Sequence, residues 1–337
     1  MKAVFFDTQP YEKDFLLKNI PEDYTYTLIK EPLNRDYHLN NEISDTELIS
    51  VFITSNLDKE VLERFKNLKF ILTRSVGFSH IDLEWCKEKG IFVFNTPHYG
   101  DYTVAEYTFG LLIYTIRNMG RGAAGVKTDE INMNSYTGVE LFSKTLGVIG
   151  AGSIGRNVLD IAHGFKMETL AYDPNPQDEK YNYTSLDNLF EKSDVISINS
   201  PLTDETYHLI NKNTIEKMKD GVIIVNAARG EIIDTEALYE ALLSKKIAYA
   251  ALDVIECEEI LCTDSKNCTK VENIKEECLE KFYLNQKLLK LPNVTITPHM
   301  AYNTKEAVER ILEMTKENLI SCLNFNSDSG AKNLVLL

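Results

Sequence analysis

The sequence predicts an α/β protein of two doubly wound parallel-sheet domains, one of them assembled from two separate stretches of chain. Three observations predict this. Short apolar runs alternate with longer amphipathic stretches along nearly the whole chain. A glycine-rich turn lies in mid-chain, directly between one such run and a helical pattern. The length, 337 residues, suffices for two domains with separate cores.

The early runs are Ala3–Phe6, Ser50–Thr54, Phe70–Thr73 and Ile91–Asn95. The later ones are Leu146–Ile149, Thr169–Asp173, Val195–Asn199, Val222–Asn226, Ala248–Val254 and Val294–Thr297. Continuously apolar strands divided by helical segments belong to parallel sheets covered on both faces. One sheet rarely holds so many. The first boundary falls near residue 101. There Thr103-Val104-Ala105-Glu106 has the form of a capping box. The helix it opens, to about Met119, is apolar nearly all round, through Val104, Tyr107, Phe109, Leu112 and Ile116. Such a helix is buried between layers, and it is read as a connector packed between the domains and ended by Gly120-Arg121-Gly122. The predicted division is 1–101 with 300–337 for one domain and 102–299 for the other. The stretch from Glu256 to Lys290, dense in Glu, Lys, Cys and Asn, reads as an insertion with a helix over Ile274–Lys290.

Composition narrows the function. The net charge is −15 and no run of Lys or Arg offers a face for phosphates, which argues against nucleic acid. No segment approaches the ~20 consecutive apolar residues of a membrane helix. The N-terminus reads as a strand without a secretion signal, so the expected location is cytoplasmic. The six cysteines, Cys86, Cys257, Cys262, Cys268, Cys278 and Cys322, are expected to be free thiols there. Their spacing matches no zinc pattern, so no metal is expected.

The glycine turn is Gly150-Ala151-Gly152-Ser153-Ile154-Gly155, directly after the strand Thr145–Ile149. Gly150 permits the tight turn, Gly152 lets a pyrophosphate approach the backbone, and Gly155 lets the helix pack close. The N–H groups near Ser153 and Ile154 are free to receive phosphate. Asp173 ends the next apolar run, 18 residues after Gly155. A carboxylate there suits the ribose hydroxyls and repels a 2′-phosphate, which predicts NAD as cofactor.

Three later motifs accompany this turn: Asn226-Ala227-Ala228-Arg229-Gly230, then Asp253 to Glu258, then Thr297-Pro298-His299-Met300-Ala301. An earlier stretch, Thr73 to Asp82, contains Arg74-Ser75-Val76-Gly77. In this order they resemble the D-isomer-specific 2-hydroxyacid dehydrogenase family over essentially the whole chain, most of all its D-lactate branch. Thr96-Pro97-His98-Tyr99 and the long insertion before Thr297 point to that branch.

The resemblance implies roles. His299 would be the acid/base, a task its unperturbed pKa suits near neutrality. Glu258, the fifth residue after Asp253, would hold the other ring nitrogen and stabilise the imidazolium; its neighbour Glu259 is the rival assignment. Arg229 would bind the substrate carboxylate and polarise the carbonyl. The N–H groups of Val76 and Gly77 would share the carboxylate, and Tyr99 and Tyr302 would wall the pocket. Asn199, Pro201 and Ala227 would line the cofactor, and Asp253 would hold the nicotinamide carboxamide. Thr54 stands where lactate enzymes often carry a tyrosine, which leaves room for a larger substrate. The remaining histidines, His208 among them, are assigned no function. The implied activity is reversible reduction of pyruvate to D-lactate by a homodimer. Enzymes for bulkier or other 2-oxo acids, and an NAD(H)-sensing corepressor-like protein, are the alternatives.

Overall fold

The computed structural model describes residues 1–128, 131–258, 276–325 and 331–335. The chain opens with β1 (Lys2–Phe5), α1 (Pro10–Asn19), β2 (Thr25–Leu28), α2 (Asn41–Ser44) and β3 (Leu48–Val51). Next come α3 (Lys59–Leu62), β4 (Phe70–Thr73), α4 (Leu83–Lys89) and β5 (Phe92–Phe94). Two consecutive helices follow, α5 (Asp101–Ile116) and α6 (Met119–Thr128). Then β6 (Thr145–Ile149), α7 (Ser153–Gly164), β7 (Glu168–Tyr172), α8 (Leu186–Lys192), β8 (Val195–Ile198), α9 (Lys212–Lys217) and β9 (Val222–Asn226) alternate. The last elements are α10 (Thr235–Leu243), β10 (Ile247–Leu252), α11 (Glu276–Leu288), β11 (Val294–Ile296) and α12 (Lys305–Leu323).

Two compact units result: Met1–Tyr99 with Thr304–Leu337, and Gly100–Asn303. The first holds a five-stranded parallel sheet in the order β2-β1-β3-β4-β5. The returning α12 seals one face, burying Leu312, Leu319 and Cys322 against Phe5, Leu48, Leu72 and Phe94. The second unit holds a six-stranded parallel sheet in the order β11-β10-β9-β8-β6-β7. Both sheets match the predicted α/β class. β2 is the strand the sequence pattern passes over: its Thr-Tyr-Thr-Leu run is polar and only half covered at a sheet edge.

Three local expectations change. The helix α5 begins at Asp101 with Gly100 as its cap, so Thr103 and Glu106 lie inside it and form no capping box; Asp101 supplies the favourable charge in the first turn instead. Its apolar face packs on the second unit's own sheet, where Phe109, Leu112 and Ile116 join Leu146, Val148 and Leu159 in one core cluster. The break after α5 comes at Asn118, not at the glycines. Asn118 adopts φ +52, which Asn tolerates better than most residues. Gly120 and Gly122 lie within α6.

The free-thiol expectation is overturned for one pair: Cys257 and Cys278 form a disulfide. The two halves of the pair are far enough apart in sequence that spacing alone gave no sign of it. Cys86 and Cys322 are buried free thiols, both pushed up to about 12 by burial. Cys262, Cys268 and the middle of the insertion lie outside the described residues, as does Glu259.

Candidate active site

The second sheet reverses its winding between β6 and β8. In such sheets ligands bind beyond the carboxyl ends of the strands at the reversal. The predicted cofactor residues lie there. Gly150 has φ +87, and a Cβ on it would come 2.6 Å from the Ser200 nitrogen. A Cβ on Gly155 would come 2.0 Å from the Gly150 carbonyl oxygen. Only glycine satisfies either position. A Cβ on Gly152, by contrast, would meet nothing within 4 Å. That side of the loop is open to a ligand, and it caps α7 with no side-chain hydrogen bond and no acid in the first turn. The N–H groups at Ser153 and Ile154 therefore present an uncompensated positive helix end, which suits a pyrophosphate.

Asp173 follows β7. Its Oδ2 accepts from the Ala151 N–H at 2.9 Å and its Oδ1 from the Asn175 N–H at 2.8 Å. The carboxylate thus braces the glycine loop while keeping lone pairs for ribose hydroxyls. Asn199 follows β8, donating its N–H to the Ile149 carbonyl at 2.8 Å. The Pro201 carbonyl accepts from Thr206 Oγ1 at 2.7 Å. Ala227, half-buried, follows β9.

The next strand ends carry the residues to which the resemblance assigns acid–base chemistry. After β9, Asn226 is wholly buried and clamps the turn: its Oδ1 accepts from the Ala228 N–H and its Nδ2 donates to the Arg229 carbonyl. Arg229 donates from Nη1 to the Ala228 carbonyl at 2.6 Å and is only half-buried. Gly230 packs directly on the backbone after β10, for a Cβ there would lie 2.1 Å from the Ile255 carbonyl carbon. The turn of Arg229 and the segment leading to Glu258 are therefore in contact.

His299 follows β11. Its backbone sits at φ +49, a conformation that non-glycine residues hold only when their surroundings enforce it. Asp253 does the enforcing. Its carbonyl accepts from the His299 N–H at 2.9 Å. Its Oδ1 accepts from Thr297 Oγ1 and the Met300 N–H, and its Oδ2 from the Ala301 N–H. Asp253 is only 1 % exposed, and the Tyr107 phenol beside it is pushed up by burial above all. The family resemblance assigns this aspartate to the nicotinamide carboxamide; here both carboxylate oxygens are engaged by the 297–301 turn.

His299 Nδ1 lies 2.5 Å from Glu258 Oε1. An ionised carboxylate can only accept, so this contact puts the N–H on Nδ1 and leaves Nε2 for a substrate. Glu258 Oε2 is buried without a hydrogen-bond partner among the described residues. Glu231, in the turn after Arg229, is held above the ordinary carboxylate range, first by burial and further by Glu258 and Glu256. Tyr302 lies three residues beyond His299, half-buried.

Val76, Gly77 and Tyr99 belong to the first unit. The Val76 carbonyl accepts from Asn95 Nδ2 at 2.8 Å and the Gly77 carbonyl from Ser75 Oγ at 2.6 Å. Their N–H groups enter no backbone hydrogen bond among the described residues. That arrangement suits an anion. The Tyr99 carbonyl accepts from Arg310 Nε. Thr54 turns its hydroxyl onto Asp7 Oδ1 at 2.5 Å.

Sequence reasoning missed several residues that build this site. Glu256, only 4 % exposed, accepts from His208 Nε2 at 2.8 Å and from both the N–H and hydroxyl of Thr235. His208, assigned no function from the sequence, is thus a partner of the segment that carries Glu258. Gly230 was legible in principle as the glycine after Arg229. The Asn226, Asp253 and Glu256 clamps join residues distant in sequence, and no local pattern marks them.

These strand ends define an oxidoreductase built around a dinucleotide-binding sheet. Residues 109–301 match the family description "D-isomer specific 2-hydroxyacid dehydrogenase, NAD binding domain", and the chain belongs to that family. Its cofactor is NAD. It is 38 % identical over 325 residues to an aromatic 2-oxoacid reductase of Clostridium sporogenes, covering 95 % of each chain. It is 40 % identical over 283 residues to a hydroxypyruvate reductase of Thermotoga maritima, covering 83 % of this chain and 86 % of the relative. Among solved structures it resembles D-lactate dehydrogenase from Aquifex aeolicus complexed with NAD and lactic acid, with a TM-score of 0.86 at 37 % identity, covering 96 % of this chain and 95 % of that one.

Proposed function

We propose that the protein is an NAD-dependent D-lactate dehydrogenase, reducing pyruvate to D-lactate and running in reverse when D-lactate accumulates. The observation that carries the reaction type is the 2.5 Å contact of His299 Nδ1 with Glu258 Oε1, which orients Nε2 as the proton-bearing edge. The likeness to a lactate enzyme bound to NAD and lactic acid supports the substrate.

When bound, NADH would supply the hydride that reduces C2 of the 2-oxo acid. His299 delivers a proton from Nε2 to the carbonyl oxygen, and Glu258 stabilises the imidazolium beforehand. In the reverse direction Nε2 takes the hydroxyl proton. Arg229 binds the substrate carboxylate and draws electron density from the carbonyl, so that the developing alkoxide is stabilised. The N–H groups of Val76 and Gly77 bind the carboxylate as well, and Tyr99 and Tyr302 bound the substrate. Asp253 keeps His299 in its left-handed turn. The protein acts on small acids, works in the cytosol, and assembles as a homodimer; the exposed Tyr102, Tyr114, Met119 and Val126 of α5 and α6 support the last point. Among the described residues no helix is long and apolar enough to cross a membrane.

One observation favours a second substrate reading. Thr54 spends its hydroxyl on Asp7, and it is smaller than the tyrosine expected in lactate enzymes. A pocket for bulkier 2-oxo acids agrees with this and with the aromatic 2-oxoacid reductase among the relatives. The test is loss of NADH absorbance with pyruvate, 2-ketoisocaproate, phenylpyruvate, hydroxypyruvate and glyoxylate in parallel, with the product's chirality determined. Highest kcat/KM on pyruvate giving D-lactate supports the first reading. A bulkier acid in first place selects the second. NADH binding without turnover on any of them would favour a sensor over an enzyme.

A further inference from the structure

Glu258 lies one residue beyond a segment gripped from a single helix. Cys278, Lys281 and Asn285 of α11 are spaced i, i+3 and i+7, so they share one face. Each takes hold of residues 256–257 by a different chemistry. Cys278 is bonded to Cys257 through their sulfurs. Lys281 Nζ lies 3.1 Å from Glu256 Oε2. Asn285 Nδ2 donates to the Glu256 carbonyl at 2.9 Å, and Asn285 is itself buried. His208 and Thr235, from outside this helix, also bond the Glu256 carboxylate.

Cys257 sits between this anchored residue and Glu258 at φ +54. A cysteine holds that conformation only under constraint. Of the contacts on α11 among the described residues, only the disulfide acts on Cys257 itself, the residue whose backbone aims Glu258. The other two act on Glu256 and persist whatever the state of the sulfurs.

We infer that this face of α11 positions Glu258 against His299, and that the Cys257–Cys278 bond makes the positioning redox-dependent. The inference rests on the proposed partnership of Glu258 with His299 in catalysis. A dithiol reductant opens the bond: one thiolate attacks a cysteine sulfur, the mixed disulfide forms, and the second thiolate releases it. Two electrons pass to the cysteine pair, two protons end on the Cys257 and Cys278 thiols, and the reductant leaves as its own disulfide. Cys257 then relaxes toward negative φ, and Glu258 loses its fixed distance to the imidazole while Lys281 and Asn285 keep the segment folded. In a reducing compartment a bond of this kind is usually regulatory.

The experiment compares the whole protein after mild oxidation and after dithiothreitol treatment. Peptide mapping by mass spectrometry establishes the Cys257–Cys278 link in the first state and its loss in the second. The expected result is a kcat lower in the reduced form by about three- to tenfold, short of the ~100-fold that a 1 Å misplacement can cost. The NADH dissociation constant stays unchanged. In Glu258→Gln, the same treatment leaves kcat unaltered, because the residue being aimed is no longer a carboxylate. Three results would overturn the inference: no cross-link after oxidation, equal kcat in both states, or the same loss in Glu258→Gln. Should neither state turn over any 2-oxo acid, the proposed function fails, and amide hydrogen exchange decides the inference separately. Faster exchange across residues 256–258 on reduction supports it; unchanged exchange refutes it.

Discussion

The glycine loop after β6 and the turn that carries His299 after β11 stand at the ends of strands in one sheet, yet opposite means build them. The loop is shaped by what is missing. Gly150 and Gly155 have no room for a Cβ, and Gly152 leaves its side open. The turn is shaped by what is added: the buried carboxylate of Asp253 collects three donors from residues 297–301 and sets His299 at a positive φ. Steric rules act locally and are cheap to satisfy. Buried polar clamps are satisfied only by partners brought from far along the chain, and each partner left over costs about 1–3 kcal/mol.

Breaking each half separately shows the contrast. His299→Gln keeps the turn and its Asp253 contacts but removes the proposed proton donor. The expected loss in kcat is about 10²- to 10⁴-fold, with NADH affinity, read by fluorescence titration, nearly intact. Comparable weakening of NADH binding would show that His299 serves the cofactor instead. Gly155→Ala has the complementary effect. Its Cβ would press on the Gly150 carbonyl oxygen at 2.0 Å, so α7 must move away from the loop. NADH affinity is expected to fall at least tenfold, about 1.4 kcal/mol. Unaltered affinity would mean that the loop does not hold the pyrophosphate.

What could be read in the sequence follows the same division. The parallel sheets were legible because buried strands are continuously apolar, and β2 was not, being a half-covered edge with polar alternation. The glycine loop was legible because its steric demands appear as residue types at fixed spacing. Arg229, Glu258 and His299 were named by resemblance to a family, and the structure brings Glu258 to His299 at 2.5 Å. The Cys257–Cys278 bond and the Glu256–His208 pair were not legible, since the partners are separated by 21 and 48 residues. Nothing in a local pattern distinguishes Glu256 from an ordinary solvated acid. The helix start at Asp101 was misread because Thr103 and Glu106 satisfy a capping pattern that the chain does not use.

A smaller test sharpens the role of Glu258. On the proposed mechanism it fixes the imidazole through Nδ1, so Glu258→Gln is expected to lower the kcat of pyruvate reduction with KM for pyruvate nearly unchanged. Steady-state kinetics on pyruvate check this. An unchanged kcat would show that the contact with His299 does not serve the reaction.

The smallest effects come from two buried acids whose environments push them in opposite directions. Burial alone would raise Glu256, but hydrogen bonds from Thr235, His208 and Lys281 outweigh it and hold the carboxyl below the ordinary range. A depressed native value means that the ionised form is favoured in the fold. Its stabilisation is present above the unfolded-state pKa and is lost as the pH falls through the native one. Glu231 is raised, chiefly by burial, with Glu258 and Glu256 adding to it. Its sign is reversed: the fold disfavours the charge, and stability is lost as the pH rises through the raised value. Glu256→Gln is therefore expected to destabilise at pH 7 and to converge on the parent at acid pH. Glu231→Gln is expected to stabilise slightly at pH 7 and to show no gain at pH 4. Urea unfolding of both variants at the two pH values separates these outcomes. If both variants shift stability in the same direction at pH 7, the opposing electrostatics drawn for these two acids are wrong, and with them the view that Glu256 anchors the segment through its charge.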